Sequence, residues 1–417
     1  MSRPVLRRAL AWLICAAGAA CYLYYGIYKM LAVNFDVLGL DFYRGCVAAG
    51  NFLDGRPIYV LPGWLNPLPY FPGALAVFLP FSRLPAYSAA LCWFAIGHAL
   101  LAGVFIMLYR AGAGRGRLFS AAAASASVLL SGSVYQTLQT GNVNILVFAG
   151  LGLCYHLILR GREAAVPPLL AVFAALKLAP AALAAIYLRP GCLPRLRSFF
   201  LWCAAFALLS LVFFGLRENL YFIRQLPEAG RYSHIFHGTS LTFFAGIFSG
   251  GSRPGEVFLL SMGLFALLLF LWLRRPTDPA ADPRAARAVD LFGASIIMTL
   301  VAPSSWIMYC ALFAAPFYFV LLALLEGRGG FRLLPVFLLA YGVFGAWEFL
   351  YFHLTVPFAN LTIREIAMSR ESWPALYAAL FSLHFLLDLA LFFWALANRA
   401  GLCRAAGRLL PAGGAGD

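Results

Sequence analysis

Charge is the scarcest property of this chain: 11% of its 417 residues are charged, against 63% hydrophobic. A soluble domain of this length needs far more polar surface, so that class is excluded. Lysine is nearly missing. Lys29 and Lys177 stand alone beside a large excess of arginine. With abundant alanine and glycine, that usage points to a GC-rich bacterial genome. The alternating pattern of a membrane β-barrel is absent. The nine cysteines form no CxxC pair and no metal-ligand spacing. Cys15, Cys92, Cys154, Cys203 and Cys310 lie in apolar runs and read as small buried hydrophobes. No A-x-A site closes the apolar stretch after Arg3, Arg7 and Arg8, so it reads as an uncleaved first helix.

What the chain does have is apolar runs long enough to cross a bilayer, repeated along its whole length. Helices are expected at about Ala9–Tyr28, Ala86–Tyr109, Leu118–Tyr135, Val143–Leu159, Ser198–Gly215, Glu256–Leu273, Val289–Ala302, Ile307–Leu325, Leu333–Phe352 and Pro374–Ala397. The net charge of +15 sits in short loops between these runs. The positive-inside rule accounts for it better than nucleic-acid binding does. Two apolar stretches are awkward: Tyr70–Leu84 carries Pro72 and Pro80, and Val166–Leu188 carries Lys177 and Pro180 at its centre. All the arginine-rich loops share the cytoplasmic side only if neither stretch crosses, or each dips in and returns. The expectation is therefore an all-α polytopic membrane protein, a single domain over 1–417. It is a bundle of about 10–12 helices with re-entrant or juxtamembrane segments. The first outer loop is 29–69, and a long outer loop is 216–255. No internal repeat is visible, which weakens a transporter reading.

Polar residues gather in the outer loops. Asp41 opens a short amphipathic segment. A carboxylate at the membrane–water boundary suits a general base towards a hydroxyl, but Asp also caps helices, and sequence physics alone favours the cap. Asn66–Pro72 is dense in proline and reads as a rigid loop entering the membrane. Gln139-Thr-Gly141-Asn142-Val-Asn144 is either a helix N-cap or a set of neutral amides for a sugar. Lys177 is an ammonium in an apolar stretch, which either faces a cavity holding an anionic lipid phosphate or snorkels to the interface. The loop with Arg217, Arg224, Arg231, His234 and His237 is unusually basic for an outer loop and suits a phosphate or diphosphate. Trp306, after Pro303-Ser-Ser305, is an interfacial anchor or a platform for a sugar ring. Glu348 and Asp388 lie within helices and should face the bundle interior.

Taken in order, these segments resemble the polyprenyl-phosphate-mannose-dependent α-mannosyltransferases, glycosyltransferase family 87 of the GT-C class. The elements are Asp41-Phe-Tyr, Gly55-Arg-Pro-Ile-Tyr59, Tyr70-Phe-Pro72 through Leu84-Pro85, Gly141-Asn-Val-Asn144 with Asn142 where the family has Gln, Lys177-Leu-Ala-Pro180, Ser240-Leu241 and Pro303-Ser-Ser-Trp306. The resemblance implies that Asp41 is the catalytic base of an inverting transfer. It also implies a GT-C-like bundle and a donor phosphate held by Lys177, Arg231 and His237, in that order of preference. Tyr70, Asn142, Asn144, Ser240 and Trp306 would contact substrate. The implied partners are a polyprenyl-phosphate-linked sugar donor, a glycolipid or glycan acceptor and the lipid bilayer, with no nucleic acid, no metal and no cofactor. The implied place is the bacterial cytoplasmic (inner) membrane, with the site on the periplasmic side. A lipid-linked sugar flippase, or a scaffold subunit that has lost activity, is the alternative.

Overall fold

The computed structural model describes residues 3–33, 38–61, 68, 70–112, 114, 116–226, 240–241, 244–245, 254–276, 281–302, 312–325 and 374–410. The protein is an all-α polytopic membrane protein, with no strand among the described residues. Its helices are α1 Arg3–Cys21, α2 Leu40–Leu53, α3 Ala86–Gly112, α4 Arg117–Ala124, α5 Gly132–Thr140, α6 Asn144–Leu159, α7 Val166–Leu176, α8 Leu193–Gln225, α9 Pro254–Arg274, α10 Pro283–Val301, α11 Ala314–Leu325, α12 Pro374–Ala397 and α13 Arg399–Gly407. Four described helices are long and apolar enough to cross a membrane, or up to six if each of two bent pairs counts as one span. That count is of the described residues, whereas the ten spans expected from sequence were placed over the whole chain. The expected helix Leu333–Phe352 lies outside the described residues. The outward surfaces of α1, α8 and α9 carry Trp12, Leu201, Val212 and Leu259, all exposed to the surroundings. Such apolar surface suits lipid and not water.

Several boundaries differ from the sequence expectation, each for a local reason. The first helix continues past Tyr28 as a π-helical segment, Tyr22–Val33. The span expected at Leu118–Tyr135 is broken: a π segment Ser125–Leu129 ends it, and α5 turns by 51°. The expected loop Gln136–Asn142 is mostly helix, because α5 runs to Thr140. Likewise α8 continues to Gln225 across a kink at Gly215, whose φ of 78° only glycine adopts readily.

Neither awkward stretch forms a spanning helix. Pro72–Val77 and Leu79–Phe81 are short 3-10 turns, since proline removes amide donors. They lie along α2, with Phe78 against Gly45 and Arg83 paired with Asp54 at 2.6 Å. In the second stretch α7 is about 16 Å long. The chain breaks at Lys177 in an extended conformation, and a 3-10 arm Ala179–Leu188 returns. The return is fixed by Arg287, which reaches Glu163 before α7 at 3.0 Å and the Ile186 carbonyl after it at 2.8 Å. Both ends of the hairpin therefore sit at one level, with Lys177 at its apex.

Among the described residues, several arginine-rich loops converge at one end of the bundle. Arg195 and Arg287 share Glu163. Arg189 and Arg399 share Asp290, and Arg399 also donates to the Arg275 carbonyl. From this arginine end, α3 and α6 lead to the opposite end, where Asp41 lies. Among the cysteines, Cys154 is buried as expected, Cys15 and Cys203 are half-buried, and Cys92 is exposed. Cys310 lies outside the described residues.

Candidate active site

The site is built where two glycine turns meet. Gly39 precedes α2 with φ 74°, and Gly141 separates α5 from α6 with φ 67°. A Cβ on Gly141 would lie 2.8 Å from Phe42 Cβ and 2.9 Å from Gly39 Cα, so the approach needs glycine on both counts. The Gly39 amide donates to the Gln139 carbonyl at 2.8 Å, joining the two turns through backbone. Phe42 stacks on Trp93 of α3 at 4.6 Å, which locks the start of α2 against the bundle.

This junction brings Asp41 and Asn142 together across 101 positions of sequence. Asn142 Nδ2 donates to Asp41 Oδ2 at 2.7 Å, and both side chains are buried. The amide cannot be flipped without loss. Its Oδ1 already accepts the Asn144 backbone N–H at 3.0 Å, so its NH2 end must face the carboxylate. Asp41 does not cap α2: Gly39 holds that position, and the carboxylate takes no helix amide. The cap reading favoured by sequence physics is therefore corrected. Arg44, one turn on, places its guanidinium 3.9 Å from Asp41, an ion pair beyond hydrogen-bond length. A carboxylate accepts about four hydrogen bonds. Among the described residues Asp41 takes only the one from Asn142. Asn144 is also buried, and among the described residues neither end of its side-chain amide is bonded. Such a group costs about 1–3 kcal/mol unless something pairs with it.

A collar of aromatic and polar contacts surrounds the junction. Asn51 donates to the Val60 carbonyl at 3.2 Å, shaping the turn after Gly55. Tyr59 donates to the Tyr70 carbonyl at 2.8 Å and stacks on Tyr221 of α8. Burial pushes the Tyr59 hydroxyl well above its ordinary pKa, which keeps it a donor. Tyr70 itself packs its ring on Phe78, 5.3 Å away, inside the core. The α7 hairpin leans on Pro72–Val77, which in turn lies on α2.

The sequence of glycosyltransferase family 87, as a family model, matches residues 68–303, more than half of this chain. The chain belongs to glycosyltransferase family 87. No curated protein and no solved structure matches it. Within the family 87 region lie Tyr70, Asn142, Asn144, Lys177 and Ser240, whereas Asp41 precedes it. Ser240 is fully buried and starts a turn whose Phe244 packs on Phe385 of α12. Arg231, His237 and Trp306 lie outside the described residues, as do His234 and Glu348. Asp388 is buried in the bundle, as its place in a helix leads one to expect. Sequence reasoning assigned no role to Arg44, Gly39 or Gly141. The i, i+3 spacing of Asp41 and Arg44 was the available signal for the first.

Proposed function

We propose that this glycosyltransferase moves a hexose, with mannose the first choice, from a polyprenyl-phosphate donor to a hydroxyl of a glycolipid or glycan. The reaction takes place at the Asp41 end, which faces the periplasm of a bacterial inner membrane if the arginine end faces the cytoplasm. The observation that carries this reading is the Asp41–Asn142 pair: a buried carboxylate held in one orientation with acceptor capacity to spare. Asp41 takes the proton of the acceptor hydroxyl as its oxygen bonds to the anomeric carbon. The bond from that carbon to the phosphate oxygen breaks on the opposite face, so configuration inverts. The lipid phosphate departs with the electron pair, and cations stabilise its charge. Lys177, Arg231 and His237 are assigned to that phosphate. Tyr70, Ser240 and Trp306 are assigned to substrate contact, and Asn144 is assigned to a sugar hydroxyl, which would pair its amide. A GT-C-like bundle and a lipid-linked donor agree with the re-entrant hairpin that raises Lys177 from within the apolar layer.

The test uses purified protein in lipid with polyprenyl-phosphate-mannose and a panel of hydroxyl acceptors. Wild-type protein transfers sugar, and Asp41→Asn loses transfer while unfolding at the same temperature. Transfer that survives intact in Asp41→Asn overturns the assignment of the base. Labelling of a cysteine placed beside Asp41 from the cytoplasmic side alone overturns the sidedness.

A further inference from the structure

The end of the bundle opposite Asp41 holds a cavity of about 490 Å³ between α3, α6, α11 and the end of α13. Four basic side chains line it: Arg110, His156, Arg160 and Arg408. Among the described residues no carboxylate lines it. The rest of the wall is largely apolar, with Met107 and Phe319 among its members. These arginines come from the ends of three separate helices and the fold alone gathers them. The arginine clasp around Asp290 does not use Arg110, Arg160 or Arg408.

Position along the helices fixes what reaches this cavity. Ala90 of α3 touches Gly39 beside the active site, and Arg110 of the same helix lines the cavity. That separation is about 30 Å along a helix, the thickness of the hydrocarbon layer. Asn144 and Arg160 bracket α6 in the same sense. When α3 crosses the bilayer with Asp41 at one boundary, the cavity lies at the other boundary, in the opposite leaflet.

We propose that this cavity binds the phosphate headgroup of an anionic membrane phospholipid from the leaflet opposite the active site. The arginine guanidiniums supply paired donors matched to phosphate oxygens. Basic pockets between membrane helices are suited to such headgroups, while the apolar wall takes the start of the acyl chains. A soluble phosphate would gain the charge contacts but leave that apolar wall against water, so the lipid is the occupant. The site is independent of the donor assignment, because none of the cavity's lining residues is among those assigned to the donor. It would fix the depth and tilt of α3 and α6, which carry the active-site turn at their far ends.

The test is native mass spectrometry and thermal unfolding of the full chain in detergent. Phosphatidylglycerol, phosphatidylcholine or glycerol 3-phosphate is added in turn. Wild type retains phosphatidylglycerol at least tenfold more tightly than phosphatidylcholine, and glycerol 3-phosphate gives no stabilisation. The triple variant R110Q/R160Q/R408Q loses that preference. The single variants R110Q and R160Q alter exposed side chains and keep the fold, and each weakens retention severalfold. Equal retention of the two lipids by wild type, an undiminished preference in the single variants, or stabilisation by glycerol 3-phosphate equal to that by the lipid would each overturn the proposal.

Discussion

Asp41 and Asp290 are both buried carboxylates in an apolar bundle, 7% and 2% exposed, and they sit at opposite ends of it. Their partners differ in kind. Asp290 accepts from Arg189 Nε at 2.8 Å and Nη2 at 3.2 Å, from Arg399 Nη2 at 2.7 Å and from Trp272 Nε1 at 3.0 Å. Its acceptor capacity is filled, mostly by charged donors. It clasps the ends of α9, α10 and α13 to the return arm of the re-entrant hairpin. Asp41 accepts one neutral amide and has Arg44 beyond bonding length. Burial alone therefore does not mark a functional carboxylate. A saturated one holds structure, and an unsaturated one keeps acceptor capacity.

Exchanging the two acids for amides is the sharpest way to test that contrast. Asp41→Asn is expected to lower transfer about 10²–10⁴-fold, the usual worth of a general base, with little loss of stability. Asp290→Asn leaves the buried Arg399 and the half-buried Arg189 without their counter-charge and is expected to cost about 3–5 kcal/mol. Scanning calorimetry or fluorimetry in detergent reads the second, and a sugar-transfer assay reads the first. If Asp290→Asn leaves the unfolding temperature untouched, the clasp reading fails.

Asn142→Ala sharpens the comparison further by freeing Asp41 without removing it. The expected outcome is a kcat lower by about tenfold, in the range of one lost hydrogen bond to a charged group, with KM nearly unchanged. A rise in KM alone would move Asn142 from orienting the carboxylate to binding substrate. Gly141→Ala forces a side chain into the left-handed region against Phe42 and Gly39, and is expected to cost about 1–3 kcal/mol. It should disturb the Asp41–Asn142 pair even though neither residue is changed. Unchanged activity and stability together would dissolve the idea that the glycine contact builds the site.

The smallest effect concerns a third carboxylate. Asp54 is exposed, and hydrogen bonds from Arg83 and then Arg56 hold its carboxyl below the usual range. A depressed folded pKa means that the stabilisation is present above the unfolded value of about 3.9. It is lost as pH falls through the lower folded value. The unfolding temperatures of wild type and Asp54→Asn should thus differ by a constant above about pH 4 and converge in stronger acid. A difference that vanishes already near neutral pH would show that the Arg56–Asp54–Arg83 tie contributes nothing.

Composition and hydrophobic run length made the membrane class legible at once, because lipid tolerates few charges and water few long apolar runs. The arginine-rich loops were legible as one group, and among the described residues those around 160, 189–195, 275–287 and 399–408 meet at one end. Residue types and their order also made the family legible. Other features needed the fold. Local physics preferred Asp41 as a cap, because helix starts commonly hold Asp, and only the left-handed turn at Gly39 took that position away. Asp290 carried no signal in one dimension: it stands in an apolar stretch, and its arginine partners lie about 100 positions away on either side. Apolar periodicity could not reveal the break at Ser125–Leu129, since hydrogen-bond register and not hydropathy makes it, whereas Lys177 with Pro180 did signal the break that ends α7.

By itself, then, the sequence determined that the chain is helical, lies in lipid and carries the family's residues in order. These properties follow from composition and local spacing. The tertiary structure alone decided which of the buried carboxylates is saturated and which retains capacity. Two glycine turns 102 positions apart in sequence had to touch before Asp41 gained its amide partner. Hydrogen-bond saturation is a property of atoms meeting in space, and spacing along the chain does not encode it.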